Sequence, residues 1–205
     1  MSFNVLVALI VFLFPLAYSP GPGNSFFAAV GARSGLKGAI PALLGYHVAT
    51  VIVTFMIGMG VGLAVLTQPA VAVVMRFGGV LYVLWIAFTF LQAAFATPAA
   101  GAAAATLNHK TASFLDGVVL LIMNPKAYMI IGLLFTQFLT AAHHSTLYIA
   151  MIAGIFTLNN AIAFVVWTAI GAAIGTLFTT PGSQRWVNIV FAACLIGVAG
   201  WMAIA

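Results

Sequence analysis

The sequence predicts an all-α integral membrane protein. It is expected to have six transmembrane helices in two inverted three-helix repeats, with helices 1 and 4 broken. Three observations carry this expectation. Hydrophobic residues make up 65% of the chain and charged residues only 3%, with a mean hydropathy of +1.25. A soluble domain carries about 25% charged residues, so the readable solvent is lipid. Apolar runs recur at the ~20-residue length that crosses hydrocarbon. Two of them are interrupted at membrane depth, by Ser19-Pro20-Gly21-Pro22-Gly23-Asn24 and by Asn124-Pro125-Lys126.

The first span covers residues 3–30, through the first break. Its opening apolar stretch has no positive leading region, and Pro20 would follow the one cleavage-like site, so it reads as a span and not a removed signal. Spans two and three cover residues 39–66 and 71–95. Residues 97–113 hold Ala, Thr and Pro with His109 and Lys110, and read as a long central cytoplasmic loop. It divides a first repeat (1–96) from a second (114–205). Span four covers 114–140, through the second break. A short turn at His143-His144-Ser145 leads to span five, 147–177. Thr180-Pro181-Gly182-Ser183 is a turn signal before span six, which starts near Val187.

Arg33, Lys37, Lys110 and Arg185 fall on one side of such a six-span chain, and Arg76 on the other. Positively charged loops stay in the cytoplasm, so both termini are expected outside, in a bacterial-type inner membrane. The basic residues are scattered singly at segment ends. Topology explains them, and no nucleic-acid partner is implied. Single Cys194 permits no internal disulfide and no dithiol redox pair.

The halves resemble each other. A shift of 109 residues puts Gly45 over Gly154, Gly62 over Gly171, Arg76 over Arg185 and Tyr82 over Phe191. In the broken spans a shift of 105 puts Ser19-Pro20 over Asn124-Pro125. Three spans per half is odd, so the second half must enter the membrane upside down. That plan is common among secondary transporters, whose sites lie at the midplane between the repeats.

Proline in a helix removes a backbone hydrogen bond, and in lipid the freed groups need partners in protein or a watery cavity. The breaks are therefore the candidate substrate site: Ser19, Pro20, Gly21, Pro22, Gly23 and Asn24 with Asn124, Pro125 and Lys126. A lysine at mid-span costs about 2.5–3.5 kcal/mol on insertion scales. Asp116, the only acid, lies ten residues away, roughly 15 Å along a helix. Lys126 therefore answers to a substrate carboxylate or serves as a gating residue, or it caps the carbonyls of its own helix break, or snorkels. Gly21 and Gly23 allow close approach, and a half-helix beginning after them offers amides to an anion. Asn159 coincides with Thr50 under the 109 shift and joins the candidate site; with Asn160 it also reads as interhelical glue. His47 could carry a proton or simply pack. Asp116 is a proton-coupling candidate or an interfacial charge. Gly58 with Gly62, and Gly171 with Gly175, read as faces for close helix packing. No metal cluster, nucleophile triad or phosphate loop is present, and no cofactor is implied.

These motifs resemble the LysE/RhtB family of bacterial amino-acid efflux proteins. Residues 19–24 are similar to its Pro-Gly-Pro motif, with Arg33, Gly35 and Gly38 following in pattern. Gly78-Gly79-Val80-Leu81-Tyr82 is similar to its third-span motif, with Val83 where leucine is usual. Phe114, Gly117 and Asn124-Pro125-Lys126-Ala127 resemble its fourth-span motif, and Gln137-Phe138 the end of that span. The resemblance implies a small six-helix exporter driven by the proton gradient, and a homodimer is compatible with it. Many members carry Gly-Asp in the second span where this chain has Ala49-Thr50. With no buried acid there, a neutral amino acid fits better than a cationic one. A passive pore for a small solute or ion, and a scaffold using its glycine faces, are the other classes considered. An enzyme is the least expected.

Overall fold

The computed structural model describes residues 1–60, 69–95, 112–139, 145–178 and 180–204. The central loop falls almost wholly outside them, as do Gly62, the end of span two and His143-His144. So does the side chain of Arg76.

Seven helices and no strand occur among the described residues: α1 Phe3–Tyr18, α2 Pro22–Gly58, α3 Pro69–Phe95, α4 Phe114–Ile122, α5 Pro125–Phe138, α6 Thr146–Leu177 and α7 Pro181–Ile204. Both expected breaks are present. Each is followed by a helix with proline at its start, where the missing N–H has no intrahelical partner to lose. The chain bends by 63° between α4 and α5. Four described helices are long and apolar enough to cross a membrane, or five if the bent pair counts as one.

Helix α2 is not one straight rod. Gly35 stands at φ 66°, ψ −178°, a conformation open to glycine and costly for other residues. Phe27 and Tyr46 are nineteen residues apart, which on a straight helix is roughly 28 Å. Their rings lie 6.0 Å apart. The chain therefore folds back at Gly35, and residues 22–34 and 36–58 run side by side.

One local expectation is corrected. Thr180-Pro181-Gly182-Ser183 is the first turn of α7 and not a separate connection. Thr180 accepts from the Ser183 amide through Oγ1 at 3.3 Å and from Gln184 through its carbonyl at 2.9 Å. A threonine cap followed by proline starts a helix as readily as it makes a turn.

Two apolar cores hold the bundle. One joins Phe27, Tyr46, Leu120, Leu121 and Phe164 to the α3–α7 face. The other joins Leu9 and Leu13 to Ile57, Ile131, Leu134, Ile149 and Phe156. Close backbone approach fixes the helices around them. Gly117 lies against the Ala42 carbonyl and Gly45 against that of Phe114. Gly171 and Gly175 lie against the carbonyls of Ala28 and Ala32, the packing role expected for that pair. Apolar side chains such as Val11, Phe14, Leu81 and Leu147 cover the outside. This is a multi-pass, membrane-embedded surface.

The buried positions of the two halves follow one another. Leu13, Ala17, Gly23, Phe27 and Gly31 are buried, and so are Gly117, Leu121, Ala127, Ile131 and Phe135, each 104 residues further on. Ala39, Ala42, Tyr46, Thr50 and Thr54 match Ile149, Ile152, Phe156, Asn160 and Phe164 at 110. Val83, Ile86 and Phe90 match Ala192, Leu195 and Ala199 at 109.

Candidate functional site

The carbonyls at the end of α1 and in the break after it, from Ala17 to Pro20, each have a donor. Ala17 O accepts from Asn24 Nδ2 at 2.9 Å. Tyr18 O accepts from the Trp167 indole at 3.2 Å. Ser19 O accepts from Lys126 Nζ at 2.6 Å, and Pro20 O from the same atom at 3.3 Å. Lys126 also reaches Ser19 Oγ at 3.0 Å. Of the alternatives open for Lys126, a cap on its own break is not the one observed: the side chain reaches across to the other break. The reason is electrostatic. The end of α1 gathers unpaired carbonyls and the negative pole of the helix dipole, and no acid among the described residues forms an ion pair with the lysine.

The second break contributes Asn124. It is 4% exposed, and its Nδ2 donates to the Tyr46 hydroxyl at 3.0 Å. Asn160 lines the same cavity as that hydroxyl. Asn124 Oδ1 is buried with no hydrogen-bond partner. Neither α2 nor α5 has a side-chain cap on its N-terminus.

These groups meet around a cavity of about 10 Å³ at the seam of the two cores. Asn24, Tyr46, Asn124, Lys126 and Asn160 supply its polar wall, and Leu16, Ile130, Phe156 and Phe164 much of its apolar one. Gly21 packs against the Lys126 stem and Gly23 against the Phe164 ring. Pro22 and Pro125 start the two half-helices. Ser19 and Pro20 remain exposed on the outer side of the contact.

Asn159 lies outside the cavity wall, and its neighbour Asn160 takes that place, 5% exposed. Asn159 keeps a buried Nδ2 without a partner. His47 is half-buried and packs on Phe164, ring centroids 5.5 Å apart. Its Nδ1 lies 2.7 Å from the Leu43 carbonyl. Its Nε2 is buried without a hydrogen-bond partner. Asp116 is occupied elsewhere. Its Oδ2 accepts from the Ser113 amide at 2.7 Å and from the Ser113 hydroxyl at 2.8 Å, closing a capping box at the start of α4.

Tyr46, a polar residue at membrane depth in the sequence, and Trp167 join the site without having been among its candidate substrate residues. Tyr46 had one signal, since a buried phenol needs a partner. Trp167 had none, because its acceptor lies 149 residues away.

The chain is 30% identical over 126 residues to a leucine efflux protein of Salmonella choleraesuis, covering 60% of this chain and 59% of that one. It is 28% identical over 120 residues to a leucine efflux protein of Klebsiella pneumoniae, covering 58% and 56%. The chain thus spans less than two thirds of these relatives. An uncharacterized membrane protein of Vibrio cholerae is 24% identical over 204 residues, 96% of this chain and 95% of that one. No solved structure matches. The family model described as LysE type translocator matches residues 14–205, so the chain belongs to the LysE-type translocator family.

Proposed function

We propose that this protein is a secondary exporter of small neutral amino acids in the inner membrane, binding the substrate carboxylate at Lys126 between the two broken helices. The observation that carries the reading is the lysine's choice of partners. A buried-side cation held only by neutral oxygens is a counter-ion in waiting. A carboxylate entering the seam exchanges with the Ser19 and Pro20 carbonyls and gains a full opposite charge. The uncapped N-termini of α2 and α5 add amides and dipoles favourable to the same anion.

The wall supports a neutral substrate. The only acid is engaged in the Ser113 capping box, so no carboxylate is at hand to match a cationic side chain. Phe156, Phe164, Leu16 and Ile130 suit an apolar one. The leucine efflux relatives support this class of substrate.

Ligand pockets run to about 300–1,000 Å³, whereas this cavity holds roughly one water. We read the arrangement as a closed state that must open to load. Ser19 and Pro20, exposed at membrane depth beside a charge, call for water or protein on that face, as a vestibule would provide.

The six-span inverted plan is supported by the fold-back at Gly35, which separates span one from span two. The matching buried registers at 104, 110 and 109 residues support it further. Rocking one half against the other then alternates access, with both termini outside. His47, packed on the cavity wall, is better placed than Asp116 to carry a coupling proton. A homodimer is compatible with this plan.

The test is flux in vesicles reconstituted with the full chain and loaded with labelled leucine. Saturable efflux that responds to a pH gradient supports the exporter. Unsaturable downhill flux would replace it with the passive pore.

A further inference from the structure

Resting on the exporter reading, we infer that Asn124 Oδ1 forms an ammonium subsite. It would work with the Tyr46 hydroxyl and the aromatic wall, so that the site selects α-amino acids over simple carboxylates. Lys126 explains recognition of one end of a zwitterion. Nothing yet described explains the other.

Three observations converge on Asn124. Its Oδ1 is an acceptor in a residue only 4% exposed, and it has no partner. A buried polar atom left unmade is costly, and such a group calls for a specific occupant. Its Nδ2 is already fixed on the Tyr46 hydroxyl at 3.0 Å, so the amide is held in place before any ligand arrives. And Asn124 and Lys126, two residues apart, both line the same cavity.

The missing partner must be a hydrogen-bond donor, and in the closed state the cavity has room for about one water. On loading, an α-ammonium supplies that donor. It also brings a positive charge toward π faces. The rings of Tyr46 and Phe164 stand 4.7 Å apart, and those of Phe27 and Phe164 4.8 Å apart, and ring faces attract cations. Within an α-amino acid the ammonium and carboxylate sit on one carbon. A solute with its carboxylate on Lys126 therefore carries its ammonium to the neighbouring position on the same helix start. A simple carboxylate of the same skeleton would leave Oδ1 unpaired.

The experiment is competition against labelled leucine in counterflow, using reconstituted full chain. The probes are leucine itself and 4-methylpentanoate, which has the same skeleton and carboxylate without the ammonium. The wild type is expected to prefer leucine by roughly 10- to 100-fold, the range of a hydrogen bond to a charged group. Asn124→Leu should bring that preference to within a few-fold. Asn124→Asp keeps an acceptor and should hold or raise it. Equal competition by both probes in the wild type would overturn the subsite, as would an unchanged preference in Asn124→Leu. Should Asn124→Leu yield no folded protein, a lowered preference in Asn124→Asp would overturn it equally. Absence of leucine counterflow in the wild type would sink the exporter reading itself, a different result from any of these.

Discussion

Replacing Gly21 with alanine isolates the contact between the two breaks. The backbone at Gly21 is extended, φ −177° and ψ 179°, a conformation alanine adopts freely. The substitution therefore brings no backbone strain, and what it changes is the space beside Lys126. A Cβ at this position would lie 2.8 Å from Lys126 Cδ and 3.0 Å from Nζ. Ordinary contact begins near ~3.5 Å, so the end of the lysine must retreat by roughly 0.5–1 Å. The 2.6 Å bond to Ser19 O then stretches past 3 Å, and the 3.3 Å bond to Pro20 O is lost. Charge-assisted hydrogen bonds contribute about 1.5–3 kcal/mol. Ser19 and Pro20 are exposed, so about 1–2 kcal/mol is the reasonable loss, close to tenfold in the local opening equilibrium. Hydrogen–deuterium exchange reads this directly. Amides of residue 21 and residues 23–27 should exchange about tenfold faster in Gly21→Ala, while those of residues 83–90 on the α3–α7 face stay as they were. Unchanged exchange at the break in a folded variant would refute the claim that Lys126 closes it.

Four further outcomes are expected. Gly117→Ala drives a methyl into the Ala42 carbonyl and to 2.7 Å from the Tyr46 amide; overpacking costs about 1–3 kcal/mol and should lower the Tm by ~5 °C. Gly154→Ala meets nothing within 4 Å and should leave Tm within about a degree or two of wild type. Asn160→Leu should cut leucine flux by roughly tenfold or more, while Asn159→Leu should change it less than about threefold; equal effects would erase the distinction drawn from the cavity wall. His47→Gln should abolish the response of efflux to a pH gradient and preserve downhill counterflow, whereas Asp116→Asn should lose about 1 kcal/mol of helix stability and keep the response.

Much of the candidate site was legible because helix breakers and charges announce themselves in an apolar chain. Pro20, Pro22 and Pro125 marked both breaks, and Lys126 stood out as an ion at membrane depth. What Lys126 touches was not legible. Its partners lie 107 and 106 residues back, and only the packing of one half on the other brings them within reach. Asn160 lines the cavity where the sequence reading had put Asn159, for a smaller reason. A 109-residue shift puts Thr50 over Asn159, but the buried faces of α2 and α6 run at 110. One residue turns a helix by about 100°, which moves a side chain off the cavity wall. Asp116 was visible as a lone acid, yet Ser113 three residues before it spells a capping box that accounts for it. The fold-back at Gly35 was implicit in placing a loop between spans one and two. The helix run from Pro22 to Gly58 hides it until the Phe27–Tyr46 contact is seen.

The central claim is that Lys126 receives the substrate carboxylate between the broken helices. Counterflow of labelled leucine, with leucine and leucinamide as competitors, tests it most directly. Leucinamide keeps the ammonium and the side chain but has no carboxylate. In the wild type, leucine should compete at least ~10-fold better than leucinamide. In Lys126→Met, leucine should weaken to the level of leucinamide, with the gap between them closed. Leucine competing as strongly in Lys126→Met as in the wild type would contradict the account.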